Sequence, residues 1–238
     1  MSVVVLSWNT RELLARCLAS LRAQAQELPL EVIVVDNASA DGSADMVAHD
    51  FPEVVLLRNA RNEGYAIGNN QGAARARAEL LLLLNSDTEA RPGAIGTLAR
   101  FLDTHPGHGA CAPRLERPDG TPQRSCKTFP TLLTAVFYDT VFDRWFPHNA
   151  TLPRYEMRDF DHLSSRDVDQ PPAAALLVRR ALWEDLAGFD PVLWLFYNDV
   201  DFCRRLRAGG HEIPYVAEAR VLHHEGKSTA QFPEFGAI

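Results

Sequence analysis

Leu80-Leu81-Leu82-Leu83-Leu84-Asn85-Ser86-Asp87 is the stretch that decides the architecture. Five consecutive leucines are too few to span a bilayer, which takes about 20 apolar residues. They suit a strand buried on both faces or a piece of buried helix, and periodicity alone does not separate the two. The run stops at Asn-Ser-Asp, so a strand here would deliver a carboxylate just past its end. In open α/β sheets ligands bind at the carboxyl ends of strands, which makes Asp87 a candidate site residue; the alternative is a polar turn that solvates the strand end.

Upstream of the leucines, strands and helices alternate. Residues 59–64 form a turn-rich loop feeding a helix from about 65 to 78, and residues 54–57 follow Pro52 as a strand. Asp41-Gly42-Ser43 signals a turn and cap for a short helix over 44–49. Residues 30–35 form a strand ending in Asp36-Asn37, and residues 3–6 another ending in Ser7-Trp8-Asn9-Thr10. Between these two, Leu13, Leu14, Cys17, Leu18 and Leu21 recur at three- and four-residue steps, an amphipathic helix for Thr10 or Asn9 to cap. A strand, helix, strand unit of this length implies a parallel pair with a right-handed crossover. The expected class is α/β, with helices on both faces of the sheet.

Downstream, Pro92 is placed to start a helix carrying Ile95, Leu98, Phe101 and Leu102, and residues 107–112 suit a strand. Residues 113–169 are irregular and proline-punctuated, with an aromatic-rich segment over 129–146. A strand over 173–178, short helices over 181–187 and 200–208, and an extended stretch over 213–223 complete the pattern, with Gly209-Gly210 ending the second helix. No internal repeat is present.

Composition narrows the function. A net charge of -7 argues against a nucleic-acid binder that relies on phosphate neutralisation. Cys17, Cys111, Cys126 and Cys203 are far apart with no Cys-x-x-Cys, which suggests free thiols in a reducing compartment rather than disulfides or structural zinc. Met1-Ser2 precedes an apolar strand without a basic n-region, and no apolar run reaches spanning length. A cytoplasmic, non-spanning protein is expected.

The first strand ends without a glycine-rich turn, which counts against an NAD-type Rossmann site, and no Walker loop occurs. What remains is a row of polar groups at successive strand ends: Ser7 and Asn9, Asp36 and Asn37, Asn62, Asn85 and Asp87. Such a row can line a crevice that reads a base and ribose by side-chain hydrogen bonds, the diphosphate then needing a cation. Asp87 suits magnesium or manganese, which take carboxylates together with substrate phosphates, and His223 is a second candidate ligand for manganese. Asn198-Asp199-Val200-Asp201 follows the aromatic run Trp194-Leu195-Phe196-Tyr197. Acids there suit helix capping, yet Asp199 beside aromatics that exclude water also suits a general base with a raised pKa.

These residues resemble the inverting family 2 glycosyltransferases of GT-A fold, and within them the bacterial rhamnosyltransferase-like branch. The resemblance spans nearly the whole chain. It rests on Val4-Val5-Leu6-Ser7-Trp8-Asn9, Val34-Val35-Asp36-Asn37-Ala38-Ser39, Asn62-Glu63-Gly64-Tyr65-Ala66 and Leu84-Asn85-Ser86-Asp87. In the second half it rests on Gly188-Phe189-Asp190, Phe196-Tyr197-Asn198-Asp199-Val200-Asp201-Phe202 and His223-x-x-Gly226-x-Ser228. Each piece is weak alone; their order and spacing are specific. The resemblance implies a Rossmann-like, mostly parallel central sheet flanked by helices, with residues 1–113 as the nucleotide-sugar half and 114–238 as the acceptor and catalytic-base half of one domain. It puts Ser7, Asn9, Asn62 and Asn85 at the nucleotide and Asp36 on the pyrimidine base. Asp87, and a histidine matched by His223, would serve a Mg2+ or Mn2+ ion at the diphosphate, while Asp199 would be the catalytic base for inverting transfer of a hexosyl group.

Two departures stand out: Asn198 occupies a position that is usually Glu, and Asn85 replaces the first acid of a two-aspartate metal pattern. The branch implies a dTDP sugar, with rhamnose first, although no residue separates thymine from uracil, and an acceptor on a cell-surface glycan or lipid-linked sugar. Residues 114–158 carry seven basic and five acidic side chains. With Phe137, Tyr138, Phe142, Trp145 and Phe146 among them, they suit peripheral contact with the inner face of a membrane or an aromatic core under an acceptor lid. Two readings compete: a sugar-nucleotide or glycan-binding protein that kept the fold and lost turnover, which Asn198 favours, and a nucleotidyltransferase, which the missing glycines disfavour.

Overall fold

The computed structural model describes residues 1–26 and 28–224. Four strands and three helices alternate first: β1 (Ser2–Ser7), α1 (Arg11–Gln24), β2 (Glu31–Asp36), α2 (Ser43–Asp50), β3 (Val55–Arg58), α3 (Gly64–Ala73) and β4 (Leu80–Asn85). The leucine run is thus a strand, and it lies centrally. β5 (Thr88–Ala90), α4 (Ala94–Thr104), β6 (Ala110–Glu116), α5 (Leu132–Phe137), α6 (Val141–Trp145), α7 (Thr151–Tyr155) and β7 (Arg166–Asp167) follow. Then come β8 (Ala175–Arg179), α8 (Arg180–Asp185), α9 (Asn198–Ala208) and β9 (Pro214–His223).

Among the described residues the nine strands form one sheet, ordered β3-β2-β1-β4-β8-β6-β9-β5, with β7 also pairing β9. β1 to β4 are mutually parallel, and β6 and β9 run the same way because β8 is antiparallel to both β4 and β6. Only β5, β7 and β8 are reversed. The sheet is therefore mostly parallel, and the ends of β1, β2 and β4 share one edge.

Strand alternation divides the core into two layers. Leu82, Leu84, Val3 and Val5 pack with Leu14, Leu18, Leu98 and Leu102 of α1 and α4 on one face. Leu81, Leu83, Val4 and Ile33 pack with Ala66, Trp183, Phe202 and Leu206 of α3, α8 and α9 on the other. Leu81 to Leu84 are all fully buried, so each contributes about 1.5–3 kcal/mol relative to exposure. A smaller cluster of Cys126, Met157, Phe160, Val168, Tyr215 and Ala217 underlies the second half. All four cysteines are free and buried.

Several boundaries differ from those the sequence suggests. α3 stops at Ala73 rather than near 78, because the Arg77 and Ala78 N–H groups turn to Ser2 Oγ at 3.2 and 3.0 Å and steer the chain into β4. Pro92 does not open α4; Gly93, at φ 75°, makes the left-handed turn before it. β6 begins at Ala110 and runs through Pro113, where a register shift accommodates the residue that cannot donate to the ladder. β6 therefore straddles the 113/114 division between the halves. Residues 113–169 are less irregular than their prolines imply, since α5, α6 and α7 lie within them. Thr10 stands at the N-cap of α1 without a side-chain cap bond, and the N–H of Arg11 is satisfied by Asp41 Oδ2 at 2.8 Å, from the loop after β2. Gly226 and Ser228 lie outside the described residues.

Candidate active site

Register sets the strand ends side by side. Ser7 of β1 pairs with Asp36 of β2, and Leu6 pairs with Asn85 of β4. Ser7 is fully buried and its Oγ lies 3.1 Å from Thr10 Oγ1, which in turn lies 2.8 Å from Ser86 Oγ. This hydroxyl chain ties β1 to the turn after β4, so Ser7 supports the crevice rather than lining it. Asn9, in the left-handed region at φ 50°, accepts the Ala40 N–H on Oδ1 at 2.7 Å while its own N–H reaches Ser39 Oγ at 2.9 Å. Asp36 accepts the Ser39 N–H on Oδ2 at 3.1 Å, and its buried Oδ1 has no partner. A buried carboxylate oxygen without a donor is costly and marks a place where an incoming N–H or O–H would be welcome.

Asn37, one of the strand-end polar groups, does more than its position in that row announces. Its amide is only 2% exposed and makes four bonds: Nδ2 donates to Asn62 Oδ1 and Gly64 O at 2.9 and 3.1 Å, and Oδ1 accepts from Asn59 Nδ2 and the Glu63 N–H at 2.8 and 3.3 Å. Asn62 Oδ1 also takes the Gly64 N–H at 2.9 Å. Asn62 is thus brought to the crevice as part of a loop brace. A run of asparagines between strands is the signal that could have revealed it.

Asp87 and His223 meet at the other end of the row. β5 pairs antiparallel with β9, placing Thr88 opposite His223, so the histidine arrives beside the residue before Thr88. His223 Nε2 lies 3.5 Å from Asp87 Oδ1, and both residues are buried. His223 Nδ1 is 2.9 Å from Gln123 Oε1, a contact that holds the ring with Nε2 toward Asp87. Carboxylate and imidazole are both ligand types that Mn2+ accepts. A second trio, His108, Asp167 and Glu212, also brings ligand atoms within 4.8 Å of one another. Its members precede or lie beside the starts of β6 and β9, at the opposite edge of the sheet from Asp87.

Asp199 sits in the first turn of α9, partly buried, and accepts the Val200 N–H at 2.9 Å. Burial pushes its carboxyl above the ordinary 3.8, against the lowering pull of backbone N–H groups and Lys127. Tyr65 joins the two acidic centres: its phenol shares a hydrogen between Asn85 Oδ1 at 3.1 Å and Ala173 O at 3.0 Å. Burial raises the Tyr65 pKa, and the charges of Asp199 and Asp87 raise it further. Asp201 is not available for such a role, since Arg205 holds it at 2.6 and 2.9 Å one turn on. Asn198 is 2% exposed, and neither side-chain polar atom has a partner.

The profile of Glycosyl transferase family 2 matches residues 2–185. The chain belongs to this family. Among curated proteins, this family 2 chain is 30% identical, over 97% of its length and 78% of the relative's, to the N-acetylglucosaminyl-diphospho-decaprenol L-rhamnosyltransferase of Mycobacterium tuberculosis. It is 29% identical, over 95% of its length but 17% of the relative's, to the O-antigen biosynthesis protein RfbC of Myxococcus xanthus. Among solved structures it resembles the mannosyltransferase PcManGT of Pyrobaculum calidifontis, in complex with GDP-Man and Mn2+, at TM-score 0.66 and 19% identity, covering 99% of this chain and 58% of that one. TarS of S. aureus, residues 1–349, gives TM-score 0.65 at 19% identity, covering 93% and 59%. The chain spans somewhat over half the length of these solved chains, and the likeness shows the GT-A fold.

Proposed function

We propose that the chain is a metal-dependent inverting glycosyltransferase that moves rhamnose from dTDP-rhamnose to a hydroxyl of a lipid-linked or cell-surface glycan acceptor. The observation that carries this reading is Asp199, a carboxyl in the first turn of α9 that burial raises and whose charge, like that of Asp87, acts on the Tyr65 phenol. The mycobacterial relative's rhamnosyl transfer to a decaprenol-linked sugar supports the choice of donor and acceptor.

In this reading residues 1–113 hold the donor and residues 114–238 the acceptor. The orphaned Asp36 Oδ1 accepts the imide N–H of the pyrimidine. Asn9, Asn62 and Asn85 flank the nucleotide, and buried Ser7 fixes the strand end beneath it. Asp87 and His223 would hold a Mg2+ or Mn2+ ion, which would supply positive charge to the departing phosphate oxygens. Asp199 takes the proton of the acceptor hydroxyl as that oxygen attacks the anomeric carbon from the face opposite the diphosphate. The new C–O bond forms as the bond to the diphosphate breaks, and the configuration inverts. The helix N-terminus beneath Asp199 favours the ionised base.

Asn198 favours a second reading, a fold retained for sugar-nucleotide or glycan binding without turnover, since a usual Glu is replaced there by an amide with no partner. One experiment separates them. Calorimetric titration with dTDP-rhamnose, UDP-glucose and UDP-galactose, with manganese and with chelator, is paired with a transfer assay on a prenyl-diphosphate-linked N-acetylglucosamine. Metal-dependent binding of dTDP-rhamnose with product formation is the expected result. Binding without product gives the second reading, and no binding of any nucleotide sugar overturns the donor site and leaves only the glycan-binding form of the second reading.

A further inference from the structure

The aromatic segment of the second half is not a core: Leu132 is 89% exposed and Trp145 69%. One ring within it has a partner of another kind. Tyr138 meets Tyr155 edge to face at 5.6 Å, and the Lys127 ammonium lies 5.2 Å from both ring centroids. Aromatic faces hold a cation without neutralising it, as a carboxylate would. Among the described residues no carboxylate pairs with Lys127. Its N–H bonds Gln170 O at 3.0 Å, and the acid beside Gln170, Asp169, is already taken by Arg207 Nη2 at 3.3 Å and the Phe129 N–H at 3.4 Å. Gln170 is 6% exposed and its Oε1 has no partner, while its side chain acts on the Tyr155 phenol. Further along the same segment, Ala173 O accepts the Tyr65 hydroxyl at 3.0 Å. The Ala173 N–H acts on the Asp199 carboxyl, as does the charge of Lys127. One short strap, residues 170–173, therefore links the clasped lysine, a buried amide with an unused acceptor and the candidate base.

We propose that Lys127, clasped by Tyr138 and Tyr155, binds the phosphate of an acceptor sugar linked through phosphate, and that Gln170 Oε1 accepts a hydrogen bond from the same sugar. The proposal rests on the lipid-linked acceptor proposed above and narrows it to phosphate-linked sugars. Charge selects the ligand. The chain carries a net -7, and the candidate site already holds the carboxylates of Asp87 and Asp199. A neutral glycan needs no cation beside the base, whereas an acceptor phosphate would be repelled by both acids without one. A metal ion at Asp87 would serve the donor and leave the acceptor phosphate uncompensated. Lysine is a point charge with three rotatable donors, which suits phosphate oxygens without demanding one geometry. The amide supplies the complement: a buried acceptor left unpaired is costly, and a sugar O–H or N–H relieves it. The two rings also keep the ammonium from closing on Asp199. The base thus has a cation in range and stays free to take a proton.

The test is calorimetric titration of the full chain with geranyl-diphosphate-linked N-acetylglucosamine and with neutral octyl N-acetylglucosaminide, in chelator so that no metal-held phosphate contributes. Lys127→Met and Lys127→Arg are titrated alongside, and thermal unfolding checks that each is folded. Lys127→Met should lose about tenfold in affinity for the phosphate-linked sugar and at most about twofold for the neutral one, with Lys127→Arg near native on both. Equal losses on the two sugars overturn the proposal, since Lys127 then only braces the rings, and unchanged binding does so as well. If Lys127→Met does not fold, the native chain decides: pyrophosphate should compete with the phosphate-linked sugar and not with the neutral one, and absence of that competition counts against the site. Gln170→Leu should weaken both sugars alike, and native affinity in that variant overturns its part. An octyl glucuronide separates phosphate from carboxylate, because Lys127-dependent binding of it as tight as that of the diphosphate compound rejects the phosphate assignment. A transfer assay with dTDP-rhamnose and manganese keeps this proposal apart from the reading beneath it. Lys127-dependent binding without rhamnosyl product sinks the transfer reading and leaves the phosphate site standing; product formed equally well from both sugars does the reverse.

Discussion

His223 Nε2 stands 3.5 Å from Asp87 Oδ1 although the two residues are 136 positions apart in the chain, and the three-residue strand β5 is what joins them. Gln123 Oε1, 2.9 Å from the far nitrogen of the ring, holds its orientation toward Asp87, as the proposed metal role requires. Asp87→Asn and His223→Ala should each weaken manganese-dependent donor binding by about 10–100-fold. The double variant should fall no further than the worse single one, since the two act on one ion. Calorimetry with and without chelator measures this, and strictly additive losses would show that the residues act apart.

Asp199→Asn should lower kcat by about 10²–10⁴-fold while leaving donor affinity near native. Its effect on stability has the opposite sign. The folded-state pKa lies above the ordinary 3.8, so the native protein favours the protonated carboxyl. That preference stabilises fully below the unfolded pKa and is lost as pH rises through the folded one. The variant should therefore melt at the same temperature as the native chain in strong acid and above it near neutral pH. The acid limb of the native kcat profile should fall above the ordinary carboxylate range; equal melting at all pH values would contradict the assignment.

Asn37 and Asn198 are equally buried, at 2% exposure, but one amide makes four bonds and the other none. Asn37→Ala should cost about 3 kcal/mol, whereas Asn198→Ala should stay within about 1 kcal/mol of native. Urea unfolding of the two variants decides it, and similar losses would mean that Asn198 has a partner in solution.

Gly64 is left-handed at φ 84°, and a Cβ there would lie 2.7 Å from the Trp194 carbonyl oxygen. The neighbouring Tyr65 N–H already bonds that carbonyl at 2.6 Å, so the backbone of the aromatic run cannot simply retreat. Gly64→Ala should cost at least about 1–2 kcal/mol from backbone conformation alone and should displace residues 194–197 from the base. The expected kinetic signature is a raised acceptor KM at near-native donor affinity.

The first half was legible because local pattern and tertiary arrangement agree there. Alternating strands and helices announced a parallel sheet, and Asp36, Asn85 and Asp87 fell at one edge because parallel strands must end together. The second half was harder to read. β8 is antiparallel, and its apolar run looks the same in either direction. β5 and β7 are too short for periodicity, yet β5 carries the Asp87–His223 relationship. The α5–α6 aromatics have core-like composition, and only the folded chain reveals them as surface. Asn37 was legible as a strand-end polar group but not as a brace, since its weight lies in four bonds to a distant loop, which no spacing rule encodes.

Burial of every thiol has a practical consequence. Desolvation pushes Cys17 and Cys126 up to about 12 and holds Cys111 and Cys203 high as well, so native sulfur is unreactive toward maleimides at neutral pH. A single cysteine introduced at position 132 would be the one labelled group on the molecule. A fluorophore there would report local polarity with the native chemistry left silent, making this protein its own low-background probe.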